Sequence, residues 1–225
     1  MKYKTVIPAV FINRPNRFTA EVEIDGRRET VHVKNTGRCR ELLVPGAEIY
    51  LEKAENSARK TAYDLIAVRK SNGLLVNIDS QAPNAVVREW LEGQNFDRII
   101  PEYTYQNSRI DFFMEKSGEK YLLEVKGCTL EIDGIGYFPD APTERGAKHL
   151  RELQRSIQDG YHPGIAFAIQ MEGIREVRPN YSTDPAFGQA FDEAVSAGVK
   201  VLFMQCRAEP DGLVIINKSG YSRCN

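Results

Sequence analysis

The spacing of hydrophobic positions changes about a third of the way along the chain. Up to about residue 82 it follows a strand period. "RFTAEVEI" sets Phe18, Ala20, Val22 and Ile24 on one side with polar neighbours between them, the alternation of a half-buried strand. Asp25-Gly26 is a strong hairpin signal, and "RRETVHV" returns, so Phe18 falls against Val33, Ala20 against Val31 and Glu23 against Arg28. "AEIYLEKA", "AYDLIAVRK" and "GLLVNID" read as further strands. Five or six short strands without a convincing helix fit a small β-barrel of the OB type, and also other small barrels. Tyr3, Phe11, Phe18 and Tyr50 are expected inside it, because a small barrel needs large side chains to fill its core.

From Pro83 the period lengthens. "PNAVVREWLEG" carries Val86, Val87, Trp90 and Leu91 at helical spacing between a Pro start and a Gly stop. Strand-like runs follow at residues 99–106, 109–114 and 121–125. "DAPTERGAKHLRELQRSIQDG" predicts a helix with an Asp or Thr cap, with Asp140 read as the stop signal before it and "DGIGYFPD" as a mobile loop over a site. A buried strand "GIAFAIQM", a helix over residues 187–197 and a strand "VKVLFMQC" complete the order. The fold class is therefore mixed α/β. A small barrel domain is expected over residues 1–82, and an α/β domain with a mixed central sheet over 83–225.

One strand ends unusually. In "YLLEVKGCTL" an apolar run closes on Glu124 and Lys126. If "IDFFMEKSGEKYLLEVK" folds as a hairpin about Ser117-Gly118, Asp111 lies opposite Glu124, Phe112 opposite Leu123 and Phe113 opposite Leu122. Ile110, Phe112, Met114, Tyr121, Leu123 and Val125 then share one apolar face, with Asp111, Glu124 and Lys126 together on the other. Two carboxylates facing each other destabilise a sheet unless something compensates. A hard dication does so, since Mg²⁺ takes one or two carboxylates and leaves room for phosphate oxygens. An adjacent ammonium can orient a water and offset charge on a phosphoryl oxygen. The same residues also read as a plain ion pair at a strand end.

Composition narrows the class without choosing a partner. Thirty basic and 31 acidic residues nearly cancel in the 225-residue chain. The first 45 residues, however, hold nine Lys or Arg against five Asp or Glu. Nothing approaches the roughly 18 apolar residues of a membrane span, and "MKYKTVIPAV" lacks the core of a signal peptide. A cytoplasmic location with no membrane partner is expected. Cys39, Cys128, Cys206 and Cys224 lie far apart without a C-x-x-C pair and read as reduced thiols. Arg14, Arg17, Lys34, Arg38 and Arg40 flank turns of the expected barrel, and Arg145, Lys148, His149 and Arg151 lie on the second helix. These form the candidate nucleic-acid surface, although basic side chains also sit outside for solvation alone. His32 and His162 read as incidental.

The order Asp111, then Glu124-x-Lys126, resembles the PD-(D/E)xK nuclease-like superfamily, with Ile110 where proline is common. "NTGRCRELLVPG", "SRIDFFM", "YLLEVKGCTL" and "FPDAPTERGAKHLREL" resemble the sugar fermentation stimulation protein A family of bacteria and archaea, over essentially the whole chain. Gly127-Cys128 stands where that family often has Ser-Val. The resemblance implies an OB-like barrel followed by a PD-(D/E)xK nuclease-like domain, DNA ahead of RNA as partner, and a role in sugar utilisation. It implies Asp111 and Glu124 as ligands of Mg²⁺ (or Mn²⁺), aided by the Val125 carbonyl, with Lys126 as the catalytic lysine and Glu89 as a further acid from the first helix. Two rivals stand beside the nuclease: a catalytically silent DNA-binding regulator of sugar-utilisation genes, and an interaction module whose acidic cluster is only a salt bridge. A homodimer is left open.

Overall fold

Six short strands open the chain: β1 (Val6–Asn13), β2 (Thr19–Ile24), β3 (Arg27–Val33), β4 (Glu48–Lys53), β5 (Tyr63–Arg69) and β6 (Leu75–Asn77). The structure is a computed structural model that describes residues 1–35, 37–56 and 58–221, so Cys224 lies outside the described residues. The β2–β3 hairpin adopts the expected register, with Ala20 on Val31 and Glu23 on Arg28. A parallel pairing of β3 with β5, at His32 with Asp64 and Val33 with Leu65, closes β1 to β5 into a barrel. Strand β1 has no clear sequence signal because Pro8 interrupts it. Proline is tolerated there because β2 pairs only from Val10 onward, leaving Pro8 with β4 as its one neighbour.

Phe11, Val22, Val31, Ile49, Leu51 and Leu65 fill the barrel, whereas Tyr3 and Tyr50, expected there, are buried in a separate cluster with Ile66, Ala67 and Leu75. Phe18 departs from expectation: it is 54% exposed. Its carbonyl still accepts the Val33 N–H, but the side chain sits one pair beyond the ladder, with the Arg17 guanidinium 5.8 Å from its ring centre.

The rest of the chain runs α1 (Ala82–Glu92), β7 (Arg98–Tyr105), β8 (Ser108–Lys116), β9 (Glu119–Cys128), β10 (Leu130–Ile132), β11 (Ile135–Phe138), α2 (Glu144–Ser156), β12 (Tyr161–Ile169), β13 (Val177–Pro179), α3 (Pro185–Ala197), β14 (Lys200–Glu209) and β15 (Gly212–Gly220). The central sheet has the order β15-β14-β12-β9-β8-β7. Its middle pairs, β9 with β12 and β12 with β14, are parallel. Helix α1 covers one face, packing Val86, Val87 and Leu91 on Phe112, Leu123, Val125 and Ala166. On the other face Leu150, Leu153, Phe187 and Phe191 of α2 and α3 meet Phe113, Leu122, Ile165 and Phe167.

Two expectations change here. "DGIGYFPD" is not a free loop: β10 and β11 form a hairpin whose second strand pairs in parallel with β13. Asp140 does not cap α2. Thr143 does, its hydroxyl accepting the Gly146 N–H at 3.1 Å. Asp140 instead accepts the backbone N–H of Arg38 at 3.1 Å and so ties the barrel to the sheet domain. The same seam holds the Lys70–Glu131 ion pair at 2.6 Å and the Asn77 N–H on the Gln170 carbonyl at 2.9 Å. Among the described residues no helix is long and apolar enough to cross a membrane. Cys39, Cys128 and Cys206 are free and buried, and burial pushes each thiol up to about 12.

Candidate active site

The β8–β9 hairpin positions the site. Ser117 and Gly118 turn it with φ of 52° and 83°, left-handed values that favour glycine at the second position. From there the register runs Lys116 on Glu119, Met114 on Tyr121, Phe113 on Leu122 and Phe112 on Leu123. The ladder then stops. At the next position the Asp111 carboxylate takes over, accepting the Val125 N–H at 2.7 Å on Oδ2 and the Asn84 side-chain N–H at 2.8 Å on Oδ1. On the other flank of β8 the pairing is broken at the same level: Pro101 pairs with Phe112 and Tyr103 with Ile110, while Glu102 between them has φ 53°. The break resets the alternation, so Ile110 packs with Phe113 and Leu122 rather than on the expected face with Phe112.

Where the strands part, a polar pocket of about 450 Å³ opens. Asp111, Glu124, Val125 and Lys126 all line it, joined by Gln81 just before α1, Asn84 of α1, Arg109 of β8 and Arg145 of α2. A Cβ on Gly127 would clash with the Gln170 side chain and meet Pro83 Cγ at 2.8 Å, so glycine there lets the first turn of α1 pack closely on β9.

Glu124 is 2% exposed. Its Oε1 receives both Lys126 Nζ and His149 Nδ1, whereas Oε2 is buried without a hydrogen-bond partner. Burial pushes the Glu124 carboxyl up, but the hydrogen bond from His149 and the Lys126 ammonium outweigh it and hold the group below the usual carboxylate range. Asp111 moves the other way, raised by burial and by the neighbouring Glu124 charge.

Other sequence candidates fall elsewhere. Glu89 is not in the pocket: it faces outward, 58% exposed, and pairs with the Met1 amine at 2.7 Å. The residues that α1 does send to the site are Gln81 and Asn84, in its cap and first turn, because the helix runs away from the pocket beyond them. Arg14 does not present its charge outward. Its guanidinium spans the carbonyls of Arg17, Asn35, Gly37 and Arg38 and ties the loop ends together. Lys34 is folded inward on Asp79 at 2.8 Å. Arg17, Arg38, Arg40 and Arg151 are exposed. Lys148 is exposed, with its ammonium on the Asn107 carbonyl at 3.1 Å. His149, expected at the surface, is 3% exposed because α2 turns it toward Glu124. Arg109 was missed, although it lies two residues before Asp111 and strand alternation puts both on one face. Arg109 and Arg145 also line a second pocket of about 530 Å³, together with Lys148 and His149.

Comparison with known proteins gives the family of the chain. Residues 81–212 match the family described as the sugar fermentation stimulation protein RE domain, and residues 12–78 match the SfsA N-terminal OB domain. The chain belongs to the SfsA family. A sugar fermentation stimulation protein homolog of Desulfitobacterium hafniense is 51% identical, covering 95% of this chain and 94% of the relative. The homolog of Ruminiclostridium cellulolyticum is 48% identical over 97% of each chain. Among solved structures, that of Pyrococcus furiosus SfsA in complex with Ca²⁺ superposes with a TM-score of 0.86 at 27% identity, covering 98% of this chain and 97% of the other. The closed barrel followed by a mixed sheet is thus the architecture of an SfsA protein.

Proposed function

We propose that this SfsA family member is a cytoplasmic, Mg²⁺- or Mn²⁺-dependent nuclease that hydrolyses phosphodiesters of nucleic acid, DNA ahead of RNA. The carrying observation is the pocket in which Asp111, Glu124 and Lys126 meet, with one Glu124 oxygen buried and unpartnered. An orphaned carboxylate oxygen beside a second carboxylate suits a hard dication. Asp111 keeps lone pairs free, since each of its oxygens accepts one hydrogen bond. Asp111 and Glu124, with the Val125 carbonyl, would hold the ion, which would supply a polarised water and a counter-charge for phosphoryl oxygens. The Ca²⁺ bound by the Pyrococcus furiosus relative supports a dication site in this fold.

The chain's own residues do the rest. Lys126, at the pocket wall beside the two carboxylates, orients the attacking water and offsets charge gathering on the phosphoryl oxygens. Arg109 and Arg145, at the boundary of the two pockets, hold flanking phosphates. On the barrel, exposed Phe18 with Arg17 over its ring gives a face on which a base can stack.

One observation favours a second reading, a DNA-binding regulator of sugar utilisation with a silent nuclease fold. Lys126 is paired to Glu124, and among the described residues no cluster of three or more His, Cys, Asp or Glu is arranged to hold a metal. The deciding experiment is cleavage of labelled oligonucleotides by highly purified protein across divalent metals, with Asp111→Ala and Lys126→Ala prepared alongside. Metal-dependent cleavage reduced at least about 100-fold in both variants supports the nuclease. Salt-sensitive binding without cleavage in any of them supports the regulator.

A further inference from the structure

The hydrogen bonds around Glu124 fix which of its oxygens is available. Arg145 Nε always carries a hydrogen and cannot accept. His149 Nε2, 3.3 Å from it, must therefore be the accepting nitrogen. The proton of the neutral ring is then on Nδ1, which faces Glu124 Oε1. Lys126 Nζ takes the same oxygen. Two donors on Oε1 leave Oε2 as the oxygen without a partner, in a side chain that lines the pocket.

We propose that His149 is a positioning residue: locked in its Nδ1–H tautomer by Arg145, it pins Glu124 Oε1 and reserves Oε2 for a divalent cation. This rests on the dication reading given above. A buried histidine commonly does no more than satisfy its own nitrogens, and that bland role differs in its consequences. A merely structural His149 would leave dication affinity unchanged once the fold is kept. A positioning His149 sets that affinity, because partners that orient a ligating carboxylate govern how well it binds. Arg145 gains a second role as well. Its Nε holds the histidine while the outer guanidinium nitrogens have no hydrogen-bond partner among the described residues, so a phosphate gripped there would hold the lock in place.

The test is calorimetric titration of the full-length chain with Mn²⁺ and with Ca²⁺, paired with nitrogen-15 NMR of the histidine rings. His149→Phe, which keeps bulk and removes the donor, is expected to weaken binding about 10- to 100-fold. His149→Asn, which restores a donor near the same place, is expected to recover most of it. Arg145→Lys, at an exposed position that does not threaten folding, is expected to weaken binding less and to mix the His149 tautomers. Equal affinity in wild type and His149→Phe overturns the proposal and leaves the dication reading intact. An Nε2–H tautomer in the wild type overturns it even if His149→Phe fails to fold. No dication binding by the wild type overturns the metal reading and this proposal with it.

Discussion

Two buried clusters in this molecule each combine carboxylates with a lysine, yet only one leaves a carboxylate oxygen without a partner. Between the barrel and α1, Asp79 is 2% exposed and pairs with Lys34 at 2.8 Å. Its Oδ2 also accepts the Tyr3 hydroxyl, and its Oδ1 accepts the Gln81 N–H at 2.8 Å. Both oxygens are satisfied. At the parting of β8 and β9, Glu124 is just as buried and also meets a lysine, but its Oε2 is left without a partner beside a pocket of about 450 Å³. Charge and burial are common to both. What separates them is a buried oxygen left without a hydrogen bond in a side chain that lines a pocket, because a closed polar network serves the fold whereas an unfinished one suits a ligand.

That contrast can be broken in several ways. The largest effect is expected on stability from Lys34→Met. Removing one partner of a buried pair leaves Asp79 uncompensated and costs about 3–5 kcal/mol, read from urea unfolding, with residual cleavage in the folded fraction unchanged. Lys126→Ala should differ in activity: cleavage per folded molecule falls about 10²- to 10³-fold, which Lys34→Met leaves untouched. A smaller effect comes from Phe18→Ala. Loss of an exposed stacking face is expected to weaken single-strand binding by about 1–3 kcal/mol in a filter-binding titration, at unchanged stability because the ring is 54% exposed.

The smallest effect concerns the seam. The hydrogen bond from Lys70 and the Gly134 N–H hold the Glu131 carboxyl below its usual range. A group whose folded value is depressed contributes stability above its unfolded value and loses it as pH falls through the folded one. Denaturation midpoints measured from neutral pH downward should therefore drop in the acidic range, and Lys70→Met should flatten that part of the profile.

Much of this was legible beforehand, for identifiable reasons. The β8–β9 register follows from an unambiguous turn at Ser117-Gly118 and from apolar alternation on both arms, so Asp111, Glu124 and Lys126 could be brought together on paper. The interruption of pairing at Asp111 could not, because it depends on Glu102 from a third strand and on Asn84 from α1. Basic residues were the weakest guide. Residue type says that a guanidinium will find acceptors but not which, and Arg14 spends its own on backbone carbonyls. His149 was misplaced for a related reason: it lies among charged neighbours in sequence, while the face it takes is set by how α2 packs on the sheet. Strand β15 escaped notice because its second half, "NKSG", is polar and pairs along an edge.

In the proposed mechanism Asp111 and Glu124 capture one ion jointly. Manganese binding followed by electron paramagnetic resonance measures this directly, in wild type and in the double variant Asp111→Asn, Glu124→Gln. One bound Mn²⁺ per wild-type chain and none in the double variant is the predicted result. Unchanged binding in the double variant, or no binding in the wild type, would contradict it.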